Sequence, residues 1–329
     1  MKHTLQLRGQ WAGRKLIFLL LFAQVWVVAG LTGAQAQTIR YVKEGGSGEG
    51  LVWEDASGSL QAMIDQSSSG DQIWVAKGTY KPGDQRWHSF NITKTGVAIY
   101  GGFNGDETSL ADRVLTYPSS TTLSGEIGNS GDPSDNSYHV VGIAFSDRST
   151  ILDGFVISDG HADGEYDDAI GSGIYSVEAC GVRSSPIIRN CYFANNSSTG
   201  GGAFYAQGAG QPLLINCVFF NNTATDESVG GGAVTISNSE VTMINCTLVG
   251  NRSTYGNAIR NEGTLTLTNS ILWNNRPLYD GDIQGNDGLD IVGRGRSTLR
   301  TPSIRTSFPA WPIKTPARLL WTKQTEICN

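Results

Sequence analysis

Lysine is absent from the long stretch between Lys94 and Lys314. Chemistry that needs an amine base or a Schiff-base lysine has no residue there to perform it. Histidine is scarce too. His3, His88, His139 and His161 are the only four, and none stands at ligand spacing with a cysteine, so a zinc site is not expected. In the repeated part of the chain no run of ten or more residues places apolar side chains at helical spacing, which sets aside helical and leucine-rich repeats. After residue 36 no segment is apolar enough to cross a bilayer as a helix. Positive charge is short as well. Residues 37–292 hold 13 Lys and Arg against 29 Asp and Glu, a net charge of −16 that the whole-chain value of −6 conceals. Nucleic acid and anionic membrane surfaces are poor partners for such a body.

What the chain does have is a phrase of seven residues written four times. It begins at Asn190 (NCYFANN), Asn216 (NCVFFNN), Asn245 (NCTLVGN) and Asn269 (NSILWNN), at steps of 26, 29 and 24 residues. A second phrase interleaves with it, beginning at Gly171 (GSGI), Gly201 (GGAF), Gly231 (GGAV) and Gly256 (GNAI). Two phrases in one register mean that a whole unit recurs, and a period in this range marks a stacked solenoid. Between the phrases lie short β-branched runs such as Val241-Thr242-Met243-Ile244, bounded by Gly, Asn and Ser. They read as strands separated by turns, so the predicted fold is all-β, a single-stranded parallel β-helix.

Aligned on the first Asn, the units form columns. Ile188, Leu214, Met243 and Leu267 lie two residues upstream. Cys191, Cys217, Cys246 and Ser270 follow the Asn, then, two further on, Phe193, Phe219, Leu248 and Leu272. These columns are expected inside, with Tyr192, Val218, Thr247 and Ile271 outside. The inward parity breaks at Asn190, Asn216, Asn245 and Asn269, which places a left-handed bend there. Their side chains are expected to hydrogen-bond from rung to rung along the coil axis. The three inward cysteines read as a buried stack of small thiols rather than as disulfides.

These paired phrases resemble the repeats of polymorphic outer-membrane proteins and, more widely, of secreted bacterial right-handed parallel β-helix (pectin-lyase-like) proteins. The segments Tyr41-Val42-Lys43, Leu60 to Ile64, Gly78 to Pro82, Tyr100 to Phe103 and Leu152 to Phe155 resemble the N-terminal cap and first strands of such proteins. The resemblance covers about residues 38–292. It implies the right-handed sense of the coil and says little about activity, because one fold hosts many functions.

Four parts are expected. Residues 1–36 read as a signal peptide: a basic start, an apolar run from Leu16 to Leu31, and Ala34-Gln35-Ala36 as a cleavage site. Residues 37–115 form a cap and first strands, with Leu60, Met63 and Ile64 on one face of a short amphipathic helix that covers the end of the coil. Residues 116–292 are the coil, with loops inserted near 128–137 and 159–170. In residues 293–329 Arg and Pro replace the Gly/Asn/Thr vocabulary, which predicts an irregular basic tail: the truncated or reading-frame-shifted end of a longer coil, or a basic linker. Export to the extracellular or outer-membrane surface follows from the leader.

The densest cluster of reactive groups is residues 159–168, with five carboxylates and one histidine. Asp163, Glu165, Asp167 and Asp168 are candidate Ca²⁺ ligands, since a hard cation wants several oxygens, although the spacing fits no calcium-loop pattern. The alternative is a solvated acidic loop, and no other cofactor is expected. Asp153, Asp159 and His161 are the candidate catalytic residues, with Asp153 and Asp159 as a possible carboxylate pair. Asp153 also aligns with the bend column, where a structural role suffices. The resemblance implies acidic polysaccharides as substrates of any enzyme reading. The lyases it brings in use a Lys or Arg base, and the hydrolases an Asp pair with Gly-His-Gly and Arg-x-Lys phrases. The coil has no Lys, its arginines look scattered, and neither phrase is present. The residues therefore favour a structural, adhesive or glycan-binding role, with glycans or surface proteins as partners. A polysaccharide lyase or glycoside hydrolase is the alternative. Ala194, Phe220, Val249 and Trp273 share an outer column, and the aromatics are expected to pack under loops rather than to stack on sugars.

Overall fold

The computed structural model describes residues 37–226, 230–278 and 290–300. The expected signal peptide and the segment after Arg300 lie outside the described residues. Three sheets run side by side along the coil, of 14, 7 and 5 described strands, and every pairing between named strands is parallel. One rung shows the plan. Ile174–Val177 and Ile187–Arg189 lie in the first sheet, Tyr192–Ala194 in the second and Ser197–Ser198 in the third; the chain then returns to the first sheet at Phe204–Gln207.

Most strands are short because the backbone turns twice per rung; Val234–Ile244 and Ile259–Thr268 run longer within the first sheet. Asn190, Asn216, Asn245 and Asn269 have φ between 49° and 55°, the left-handed bend expected of them. A second bend follows five residues later, at Asn195, Asn221, Gly250 and Asn274, with φ of 55°, 54°, 67° and 53°. Left-handed backbone costs an ordinary L-residue about 1–2 kcal/mol, which Asn and Gly largely escape. Register across the second sheet is unbroken: Phe193 pairs with Phe219, Phe219 with Leu248, and Leu248 with Leu272. The unequal repeat lengths are therefore taken up outside the second sheet, both in connections and within the first sheet, where the pairing of Val234–Ile244 shifts register between Ser237 and Glu240.

The inward columns are where the pattern puts them. Ile188, Leu214, Met243, Leu267, Phe193, Phe219, Leu248 and Leu272 are fully buried. Phe193 and Phe219 stack with ring centroids 4.4 Å apart and planes 7° off parallel. Cys191, Cys217 and Cys246 are buried free thiols, and each Sγ lies against the backbone carbonyl of its own rung and of the rung below. Burial pushes the Cys191 thiol up to about 12 and raises the Cys217 thiol as well, so these two are chemically quiet. Ser270 continues the column by donating to the Thr268 carbonyl at 2.9 Å and accepting the Cys246 N–H at 3.1 Å.

The amide ladder is displaced from its expected place. At the first bend the side chains turn outward, and among the described residues only Asn216 to Asn190 (3.3 Å) and Asn190 to Asp153 (2.7 Å) are joined from rung to rung, with the Tyr117 hydroxyl donating to Asn190 Oδ1 at 3.3 Å. The continuous ladder is built by the last Asn of the phrase: Asn196, Asn222, Asn251 and Asn275, at most 4% exposed. Asn222 Nδ2 donates to Asn251 Oδ1 (2.9 Å) and to the Phe193 carbonyl (3.1 Å), while its Oδ1 accepts from the backbone and side-chain N–H of Asn196. The reason is geometric. A bend residue turns its Cβ outward, whereas the residue after the second bend points into the coil, where its polar atoms must find partners.

The helix Leu60–Gln66 is capped by Ser59, whose hydroxyl accepts from the Ala62 N–H, and buries Leu60, Met63 and Ile64 as expected. Neither expected boundary is a break in the sheet. Ala98–Phe103 pairs directly with Ile151–Asp153 across the boundary near 115. Beyond Val292, where an irregular tail was expected, Arg296–Arg300 pairs in register with Thr264–Thr268. Leu299 falls opposite Leu267 and packs on the core, so the rung survives the change of vocabulary.

Candidate functional site

Asp153 is sealed from solvent. Its Oδ2 accepts from Arg189 Nε at 2.7 Å and from Arg113 Nη2 at 3.0 Å, and its Oδ1 from Asn190 Nδ2 at 2.7 Å. Arg113 is itself held by the Gly101 carbonyl at 3.0 Å and lies over the Tyr100 ring. A buried carboxylate so enclosed braces three rungs and reaches no substrate. It pairs in the sheet with Arg189, and Gly154 (φ 84°), not Asp153, occupies the bend column.

Asp159 stands at the other end of the strand Val156–Ser158, so the two aspartates form no pair. Its backbone is left-handed (φ 62°), and its Oδ2 accepts from the Ser158 hydroxyl at 2.6 Å and the Ser124 hydroxyl at 3.3 Å. Here a cavity of about 170 Å³ opens, lined by Glu126, Asn136, Asp159, His161, Asn195 and Ser197, with glycines and Pro133 completing it. The bend at Asp159 and the loop after Ser124 create it. Gly160 lies so close to the Ser172 carbonyl that a Cβ there would approach within 2.0 Å. Asp159 and His161 thus meet as candidates, joined by Glu126, Asn136, Asn195 and Ser197, which the sequence did not single out. Asn195 and Ser197 were legible as positions of the repeat; Glu126 and Asn136 flank the inserted loop and carry no pattern.

Three lining residues keep a buried polar atom without a hydrogen-bond partner among the described residues: Glu126 Oε1, Asn136 Oδ1 and His161 Nδ1. Their other polar atoms are engaged. Glu126 Oε2 accepts from the Gly131 N–H at 3.0 Å, Asn136 Nδ2 donates to the Asp159 carbonyl at 2.8 Å, and His161 Nε2 lies 3.4 Å from Asp163. Leaving such an atom unpaired costs about 1–3 kcal/mol, a cost that a water or ligand hydroxyl removes.

The acidic loop disperses its carboxylates. Asp163 pairs with Arg86, which also donates to the carbonyls of Asn136 (2.8 Å) and His161 (3.0 Å) and covers the Tyr138 ring at 4.2 Å. Asp168 lies 3.8 Å from His139, and Asp167 acts on Tyr175. Glu165 precedes the short turn Tyr166–Ala169. Among the described residues no three His, Cys, Asp or Glu groups converge to hold a metal ion. Burial pulls His139 below the ordinary histidine value, against the upward pull of the Gly171 carbonyl and Asp168.

From the pocket an outward column runs along the third sheet. His161 pairs with Ser197, Ser197 with Thr223, Thr223 with Arg252 and Arg252 with Arg276. Arg252 and Arg276 therefore lie about 14 and 19 Å from His161 at the ordinary strand spacing. The arginines that looked scattered in the sequence include two on adjacent rungs of one column, each standing directly after the last Asn of its phrase. On the second sheet Phe220 and Trp273 are 43% and 47% exposed rather than packed under loops. A further cavity of about 430 Å³ lies between the cap and first strands, with Glu44 and Lys81 as its charged lining residues.

Several solved structures are similar to this chain at low identity. The chain aligns over 82% of its length with a pectin methylesterase from carrot (84% of that chain, 11% identity, TM-score 0.40). It aligns over 82% with a rhamnogalacturonan lyase (66% of that chain, 14% identity, TM-score 0.41). A pectate lyase, Pel9A, is similar over 84% of this chain and 80% of its own, at 14% identity and TM-score 0.34. A search of curated proteins found no significant match. The family described as "Right handed beta helix region" matches residues 130–304, running past the boundary expected at Val292. With more than half of its residues matched and the coil in place, the chain belongs to the right-handed β-helix family.

Proposed function

We propose that this protein binds an acidic polysaccharide outside the cell, along the third sheet. The observation that carries the reading is the continuity of the pocket with the column His161, Ser197, Thr223, Arg252, Arg276. The pocket has the volume of about one sugar unit and offers carboxylate, amide and imidazole groups to hydroxyls. The two arginines, on a body of charge −16, supply local positive charge for sugar carboxylates. The leader sequence supports export, and the fold it shares with pectin-acting proteins is compatible with this ligand class.

The test is titration of the full chain with hexagalacturonate. Arg276→Ala and Arg252→Ala should each weaken binding by about tenfold. Unchanged affinity in both variants, or no binding by the native chain, refutes the reading. A second reading is glycoside hydrolysis, favoured by Glu126 and Asp159 lining one pocket as an acid and base pair would. Release of reducing ends that stops in Asp159→Asn is its signature.

A further inference from the structure

The outer face of the second sheet carries no charge. Over six rungs its two outward columns are Thr122, Val156, Tyr192, Val218, Thr247, Ile271 and Ser124, Ser158, Ala194, Phe220, Val249, Trp273; Ser124, Ser158 and Ala194 are covered, so the open part of the face lies on the later rungs. Twelve successive positions without an Asp, Glu, Lys or Arg stand out on so acidic a body. Phe220, Ile271 and Trp273 are 40–47% exposed, and the Tyr192 ring lies 6.3 Å from that of Phe220. Exposed aromatics on a flat, uncharged sheet are costly to leave in water and are the groups that stack on the C–H faces of sugars.

Register fixes their spacing. Phe220 and Trp273 occupy one column two rungs apart, with Val249 between them. Two rungs span about 10 Å along the coil axis. That is the length of a disaccharide unit in an extended β-1,4-linked chain, in which alternate sugars present the same face. We propose that this face is a second glycan-binding site, for a neutral, extended β-1,4-linked polysaccharide lying along the coil axis. The absence of charge disfavours polyuronates here, and a coiled α-linked glucan would not repeat its faces at this interval. The site lies on a different sheet from the arginine column and does not depend on it, so one molecule could hold a neutral and an acidic polymer at once.

The experiment is calorimetric titration of the full chain with cellohexaose, maltohexaose and hexagalacturonate. Cellohexaose should bind and maltohexaose should not. Trp273→Ala and Phe220→Ala should each weaken cellohexaose by about tenfold, and Trp273→Tyr should largely restore it. Arg276→Ala should leave cellohexaose within about twofold while weakening hexagalacturonate. Thermal unfolding verifies that each variant is folded. The inference is overturned if cellohexaose does not bind, if it binds equally to the Trp273→Ala and Phe220→Ala variants, or if maltohexaose binds as well. It is also overturned if sedimentation shows a dimer that Trp273→Ala dissociates, since the face would then belong to a second copy of the chain.

Discussion

In the first rungs Trp74 stacks on Phe103 at 4.7 Å, Trp53 donates to the Glu107 carbonyl at 2.9 Å, and Asp153 takes both Arg113 and Arg189. Between Asn190 and Asn275 the rungs are held instead by repeated inward Phe or Leu, Cys and Asn. The backbone is the same parallel coil in both regions. The early rungs rely on individual contacts between residues far apart in sequence, each made once. The later rungs use one set of contacts copied upward, so that each polar atom meets its own kind 24 to 29 residues on. Damage should therefore differ: a brace in the early region fails as a unit, whereas a single ladder position fails locally.

The largest loss is expected at the brace. Asp153→Ala leaves two guanidinium groups facing a buried space and should cost about 3–5 kcal/mol in urea unfolding. A loss below about 1 kcal/mol would show that the early rungs are as locally built as the later ones. Next comes the core of the repeated region. Phe219→Ala should cost about 3–4 kcal/mol by the same measurement, and Phe220→Ala, one residue away but outward, well under about 1. Equal costs would contradict the inward and outward columns. The amide ladder should follow. Asn222→Ala removes the acceptor of two Asn196 donors and the donor to the Phe193 carbonyl, a loss of about 2–3 kcal/mol, against less than about 0.5 for Asn245→Gly at a solvent-facing bend.

The smallest effect carries a pH signature. Burial raises the Asp290 carboxyl from 3.8 to about 6, opposed by a hydrogen bond from Asn275. The folded state thus holds this proton more tightly than the unfolded chain. Its stabilising contribution is complete below pH 3.8 and is lost as pH rises through about 6. Asp290→Asn should therefore raise the melting temperature at pH 7.5, by the equivalent of about 1–2 kcal/mol, and leave it unchanged at pH 3.5. A gain of equal size at both pH values would refute this assignment.

The comparison of the two regions also explains what could be read in advance. Phe193, Phe219, Leu248 and Leu272 were legible because a repeated rung must present the same inward positions each time. The bends at Asn190 and its equivalents were legible because few residues tolerate positive φ. The true amide ladder was within the same phrase, at Asn196, Asn222, Asn251 and Asn275, but which Asn pointed inward depended on a second bend five residues on. Arg113 opposite Asp153, Arg86 beside Asp163, and Glu126 in the pocket were not legible. Each pairing joins loops of unrelated sequence, whose meeting depends on how the coil stacks.

The amino-acid order alone determined that this chain coils, where it makes its first bend, and which apolar side chains fill the interior, because period and parity are local properties that every rung must satisfy. Only the tertiary structure decided that Asp153 is a brace and that Asp159, His161 and Glu126 share a pocket. Those juxtapositions arise across rungs of unequal length, and stacking in space rather than spacing in sequence sets which residues become neighbours.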